Sequence, residues 1–336
     1  MIYRAIVLLL CFAAGLAGLP APVSVNLNEV WGYLDSGDRG ALNPDLPLTD
    51  VAVFAASINS KGQLVAVPAP FSAESSSARA HLVVAELGNM ALTHFVLDPV
   101  YPLRDRLVTD IAAASKPFDG VQIDFEAVAR YDKENYLEFL TRLKHALGSK
   151  MLSVAVPARW KAVDDAQDYT SLARIADRLV IMAYDEHWST SAPGAIASVT
   201  WGSKVAAYAL ATLGRTRTVL GLPFYGRAWG DANPAGGYRF SGVERVRGET
   251  EAQIERDAGG VPSFRFTRNI AYTMWYEDSV SLEVKASLYL GMGITKLAFW
   301  RLGQEDKTVW SVVKKKLAGP SLVDLPRYLL RLTPAE

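Results

Sequence analysis

Gln122, Asp124 and Glu126 stand at every second position of the run Phe-Asp-Gly-Val-Gln-Ile-Asp-Phe-Glu, residues 118–126. Alternate side chains of an extended strand share a face, so an amide and two carboxyls line one side, and Val121, Ile123 and Phe125 form the other. Two carboxyls held together on a rigid strand cannot ionise independently, and one keeps its proton to a higher pH than a free side chain would. A general acid needs that state near neutral pH. A surface strand with two solvated acids is the competing reading, but the apolar alternate positions indicate that both faces are specified. Carboxyls at the end of such a strand suit the mouth of an α/β barrel.

The rest of the chain supplies the elements of such a barrel. Short β-rich runs at 30–34, 50–56, 81–85, 120–126, 152–157, 178–184, 218–223 and 296–300 alternate with helical stretches, the pattern of βαβ units around a parallel sheet. Eight strands predict a (β/α)8 TIM barrel, with helices at 131–147 and 282–290 in the outer ring. Leu137, Leu140, Leu143 and Leu147 fall at helical spacing in the first of these. Residues 230–268, rich in Gly, Pro, Asn and charge, predict only a short excursion between the seventh and eighth strands: a hairpin, or a loop with one short helix near 250–257. Residues 21–336 are then expected to form a single domain.

The motif 119–126 resembles the Asp-Gly-x-Asp-x-Asp-x-Glu signature of glycoside hydrolase family 18, which includes the chitinases. Asp119, Gly120, Asp124 and Glu126 match it, and Gln122 stands where the family usually has Asp. Three further segments resemble family strands: Met182-Ala183-Tyr184-Asp185, the run 221–227 with Phe224-Tyr225-Gly226-Arg227, and the run 298–303 with Phe299-Trp300-Arg301. The resemblance implies a secreted retaining glycosidase of endo type acting on N-acetylglucosamine-containing glycans, in which the substrate's own acetamido oxygen replaces the usual second carboxylate. Glu126 would be the general acid, Asp124 would orient the acetamido group, and Tyr184 would hydrogen-bond its carbonyl. Asp185 would make a polar contact to the sugar, and Trp300 would be the aromatic floor beneath it. Asp119 and Gln122 are expected to belong to the same sugar-binding set.

Tyr225, Arg227 and Trp229 alternate after the seventh strand and are expected to line the cleft. Tyr33, Trp160 and Trp188 are candidate sugar platforms near strand ends, with packing as the other reading of each. An amide at 122 cannot carry charge; if it donates to Asp124, it holds that carboxylate ionised and so raises Glu126. The same amide, and the run Met274-Trp275-Tyr276-Glu277-Asp278, are similar to wall-active members of the family, which favours bacterial wall glycan or soluble oligomers over crystalline chitin. A lectin-like barrel without turnover is the alternative; such relatives usually replace the terminal acid, which is present here as Glu126.

Lys plus Arg equals Asp plus Glu at 35 each among 336 residues, which makes nucleic acid and anionic membrane surfaces poor partners. His81, His94, His145 and His187 show no ligand spacing, so neither a metal nor another cofactor is implied. Arg4, an apolar run from Ala5 to Leu19 and Pro20 predict an export leader at 1–20, too short for the ~20 residues of a spanning helix. Stable membrane insertion is therefore not expected. The only cysteine, Cys11, lies in that leader, so a mature periplasmic or extracellular protein would be free of disulfides, and it is expected to be a monomer.

Overall fold

The computed structural model describes residues 24–230, 235–267 and 270–315. The predicted leader lies outside them. Eight strands form a closed parallel barrel: β1 Glu29–Asp35, β2 Asp50–Ile58, β3 Arg79–Glu86, β4 Gly120–Phe125, β5 Met151–Pro157, β6 Arg178–Met182, β7 Thr218–Pro223 and β8 Lys296–Trp300. Each pairs with the next, and β1 closes the ring by pairing with both β8 and β2. All eight coincide with the predicted runs. Two end earlier than the pattern suggested: β4 stops at Phe125 and β6 at Met182. The β4–β5 ladder is registered only as far as Ile123 opposite Val154, so the strands splay at the carboxyl-terminal mouth. Glu126 and Tyr184 therefore stand just past the strand ends, where barrel loops carry chemistry.

β4 is buried along its whole length. Its outward Phe125 stacks on Tyr136 and Phe139, with ring centroids 6.1 and 5.7 Å apart. Both rings lie on the helix Lys133–Leu147, whose buried stripe also includes Leu140, Leu143 and Leu147. That helix ends at Gly148, where φ is 60°, a conformation that costs a glycine little. Inside the barrel, Trp31, Tyr33, Ala52, Val83, Val180, Val219 and Ala298 form a packed plug below the mouth. At its opposite end His81 stacks on Trp31 at 4.5 Å, and its Nε2 is hydrogen-bonded to Asp50 Oδ1 at 2.8 Å.

The excursion between β7 and β8 is larger and more ordered than the hairpin or loop expected. Strands Tyr225–Trp229, Gly236–Arg239, Glu255–Arg256, Pro262–Thr267 and Ala271–Trp275 form a five-stranded antiparallel sheet. The helix is Phe240–Thr250, upstream of the expected 250–257. The reason is visible in the packing: Phe264, Phe266, Met274 and Tyr276 meet Val243 and Val246 of the helix in a second small core. These apolar positions alternate with charged and turn residues, so composition alone disguised them as loop. The run 274–278 also has a structural account. Asp278 caps the helix Ser279–Met292 in a capping box with Ser281, and Glu277 forms a buried ion pair with Lys285.

Candidate active site

A cavity of about 470 Å3 opens at the carboxyl-terminal mouth, lined by Asp124, Glu126, Tyr184, Asp185, Tyr225, Arg227 and Trp300 among others. Seven of the thirteen residues singled out by sequence thus meet around one hollow. A second hollow adjoins it and shares Glu126, Met182, Tyr184 and Asp185; Trp160, Trp188, Glu186 and Trp201 line its far side. Glu126 sits at the junction of the two.

Asp124 is buried at the base of the cleft, and its Oδ1 has no hydrogen-bond partner among the described residues. Burial first, and the neighbouring Glu126 second, push its pKa up to about 7. Glu126 is more open to solvent, yet it too is raised, by partial burial and then by the charge of Asp185. Both carboxyls thus hold their protons to a higher pH than free side chains, and Asp185 acts on the outer one. This corrects the expectation that an amide at 122 keeps Asp124 ionised. Gln122 Nε2 instead donates to Ser153 Oγ at 3.2 Å, and its Oε1 accepts from the Tyr33 hydroxyl at 2.6 Å.

Asp185 has a left-handed φ of 57°, a strained conformation for a non-glycine that surrounding contacts must hold. They do so through its Oδ1, which accepts from Tyr225 Oη at 2.5 Å and from Arg227 Nη2 at 2.9 Å. Both donors lie on the first strand of the excursion, which runs on from β7 through Phe224. Tyr225 and Arg227 thus position Asp185 while lining the cleft. Arg227 also lies over the Tyr225 ring, 5.3 Å from its centroid. Tyr184 meets Tyr225 edge-on at 6.3 Å. Gly221 leaves it room: a Cβ there would come within 3.2 Å of the Tyr184 ring and 2.9 Å of the Ile181 carbonyl. Trp300 rests on Phe54 and Tyr33, at 4.9 and 5.2 Å, with part of its indole facing the cleft.

Three expected sugar contacts lie elsewhere. Asp119 precedes β4 at the amino-terminal end of the barrel, where its Oδ2 accepts from Ala80 N at 2.8 Å and fixes the β3–β4 register. Five strand rises of ~3.3 Å each separate it from Asp124. The adjacent Gly120 is required by packing, because a Cβ would sit 2.4 Å from His81 Nδ1. Gln122 is fully buried one pleat below Asp124, and Tyr33 is buried beside it; neither lines the cleft. Trp229 is also buried. Trp160 and Trp188, in contrast, are 52% and 53% exposed at the rim of the second hollow. Sequence reading missed Tyr238, Arg239 and Gln304 in the first hollow. The first two belong to the excursion read as loop, so nothing in their surroundings marked them.

The placement of Gln122 yields one test. Gln122→Asp shortens the side chain, so it cannot satisfy both Tyr33 and Ser153, and it adds a carboxyl to a buried face. The variant is expected to lose about 1–3 kcal/mol of stability, with the loss larger at pH 8 than at pH 5 because the buried acid resists ionisation. Urea unfolding at the two pH values measures it; equal stability to wild type at both would contradict the buried placement.

The family model described as Glycosyl hydrolases family 18 matches residues 103–305. The chain is similar to the "Uncharacterized glycosylase YvbX" of Bacillus subtilis (strain 168), 25% identical over 224 residues that cover 63% of this chain and 64% of that protein. It is also similar to the cortical fragment-lytic enzyme of the same organism, 26% identical over 301 residues, 80% of this chain and 69% of that one. The chain thus spans about two thirds of the length of these relatives. Among solved structures, the Bacillus cereus spore cortex-lytic enzyme SleL shares the fold with a TM-score of 0.77 at 22% identity, covering 88% of this chain and 76% of that one.

Proposed function

Because the chain belongs to glycoside hydrolase family 18, we propose that it is an exported, retaining enzyme that cleaves β-linked N-acetylglucosamine-containing glycans with the substrate's acetamido group as nucleophile. The observation that carries this reading is the set of acids in the first hollow. Asp124 and Glu126 come from one strand end, and Asp185 has its Oδ1 committed to Tyr225 and Arg227. Asp124 thus shares a strand with Glu126, and Asp185 is held by its own two donors, a set that fits substrate-assisted catalysis better than the opposed pair of an ordinary two-carboxylate scheme.

Glu126 donates its proton to the glycosidic oxygen as the acetamido oxygen attacks the anomeric carbon, and the leaving sugar departs carrying that proton. The ionised form of Asp124 receives the acetamido N–H at its unpartnered Oδ1 and offsets the positive charge of the oxazolinium. Tyr184 donates to the acetamido oxygen, and Trp300 supports the apolar face of the ring. Water then attacks the anomeric carbon, returns a proton to Glu126 and regenerates the acetamide with the starting configuration.

The substrate is proposed to be a bacterial wall glycan or a soluble oligomer, a reading supported by the similarity to a cortical fragment-lytic enzyme. Export rests on the leader composition of residues 1–20. A thiazoline analogue of the oxazolinium is expected to inhibit competitively and to bind at least ~100-fold more tightly than substrate, as transition-state mimics do. Oligomers without N-acetyl groups are expected to be inert. Their hydrolysis at an undiminished rate would overturn the mechanism.

A further inference from the structure

Charge that balances over the whole chain is segregated at the amino-terminal end of the barrel. The segments 115–119, 148–150, 173–178, 214–217 and 293–296, which lead into β4, β5, β6, β7 and β8, hold seven Lys and Arg against two acids, Asp119 and Asp177. Both acids are engaged. Asp119 accepts from Ala80 N, and Asp177 accepts from Lys144 Nζ at 2.6 Å and from Leu152 N at 2.8 Å. The excess cations converge between β6 and β7, where Arg174, Asp177, Arg178, Thr216 and Arg217 line a hollow of about 300 Å3. Arg178 is anchored there, its Nη2 donating to Glu29 Oε1 at 2.7 Å and its Nη1 to the Asp177 carbonyl at 2.9 Å. Arg174 and Arg217 are exposed, and neither has a carboxylate partner among the described residues.

Solvated arginines on a surface are ordinary, and cations near the carboxyl end of a helix are favoured by its dipole. The dipole accounts at most for Arg215 and Arg217, which follow the break in the helix Val199–Arg217 at Gly214, where φ is 69°; the single turn Tyr169–Leu172 is too short to draw Arg174. Lys296 adds a further charge close by, since its Nζ donates to the Arg215 carbonyl at 2.9 Å. Like charges gathered without a free acid between them repel one another and lower stability unless an anion joins them. A guanidinium presents paired N–H donors whose spacing fits two oxygens of a phosphate, and the Thr216 hydroxyl adds a neutral donor at the same rim. We propose that the hollow is a phosphate-binding site in which Arg174 and Arg217 grip the oxygens of a phosphate monoester or diester group while Arg178 and Thr216 form its wall. The cleft lies at the other end of β6, which begins at Arg178 and ends at Met182, so phosphate and glycan bind without competing. This goes beyond the glycosidase reading and does not depend on it.

Two arms test the site and identify the source of the phosphate. In the first, inorganic phosphate is titrated into the whole protein by calorimetry at fixed ionic strength, with chloride as the balancing anion. Binding is expected, and Arg174→Ala and Arg217→Ala should each weaken it about ten-fold, the scale of one charge-assisted hydrogen-bonded pair. Arg217→Lys should recover only part of that loss, because an ammonium keeps the charge but not the fork. Lys61→Ala, on the exposed turn after β2, should change nothing. In the second arm, vesicles of phosphatidylcholine with and without phosphatidylglycerol are sedimented with the protein. Retention by the phosphatidylglycerol vesicles alone, lost when Arg174 and Arg217 are both replaced by alanine, would identify a lipid headgroup as the source; phosphate binding without retention would identify a soluble phosphate compound. No binding in either arm would overturn the proposal, as would affinity that survives the double substitution or falls equally with Lys61→Ala.

Discussion

Replacing Glu126 by Gln is expected to remove at least about two powers of ten from kcat, the scale of a general acid's contribution, while leaving the fold and glycan binding in place. The amide keeps the side chain's shape and volume but has no proton to give to a leaving oxygen. Glu126 faces the junction of the two hollows, and its backbone N–H donates to the Glu86 carbonyl at 2.9 Å, so the substitution leaves the strand end pinned. Removing a neighbouring charge should also let Asp124 ionise at a lower pH, since Glu126 is the second cause of its raised pKa. Initial rates on chitooligosaccharides, with calorimetric binding as the control for folding, test this. Activity within a few-fold of wild type would show that the proton comes from another group.

The barrel was legible because its signal is local. Each strand is a short apolar run, and an error of one or two residues at either end leaves the topology unchanged. The alternation in 120–126 likewise indicated a shared face for Asp124 and Glu126, and although β4 ends at Phe125 both side chains line the same hollow. Depth within the barrel was not legible. Asp119, Gln122 and Asp124 belong to one motif, yet they climb from the amino-terminal end of the barrel to its carboxyl-terminal mouth, and only the last lines the cleft. Nothing in a one-dimensional pattern says that Gln122 is bonded to Tyr33 and Ser153 and not to its neighbour two residues on. The excursion was misjudged for a related reason. Its core is built from alternating aromatics paired antiparallel across turns, so its apolar residues look scattered until the register Phe264 to Met274 and Phe266 to Tyr272 is known.

Asp124 illustrates how the site is held at a cost in stability. In the unfolded chain its carboxyl titrates near the ordinary 3.8, whereas in the folded protein burial and Glu126 push it up to about 7. Between those values the folded state binds the proton that the unfolded state has released, so stability falls as pH rises through the window. Below about pH 4 both states are protonated and the cost is absent; above pH 7 it is fully present. The rise from 3.8 to about 7 puts that cost on the order of 4 kcal/mol. Asp124→Asn carries no charge at any pH, so it should match wild type in stability near pH 4, gain steadily from pH 4 to 7, and be more stable by a few kcal/mol at pH 8. The same variant should lose most activity, because an amide cannot offset the charge of an oxazolinium. Urea midpoints at pH 4, 6 and 8 for both proteins give the difference directly; a constant difference across that range would mean that Asp124 titrates as an ordinary carboxyl. A substitution that stabilises the fold while removing turnover is the behaviour expected of a residue retained for chemistry and not for packing.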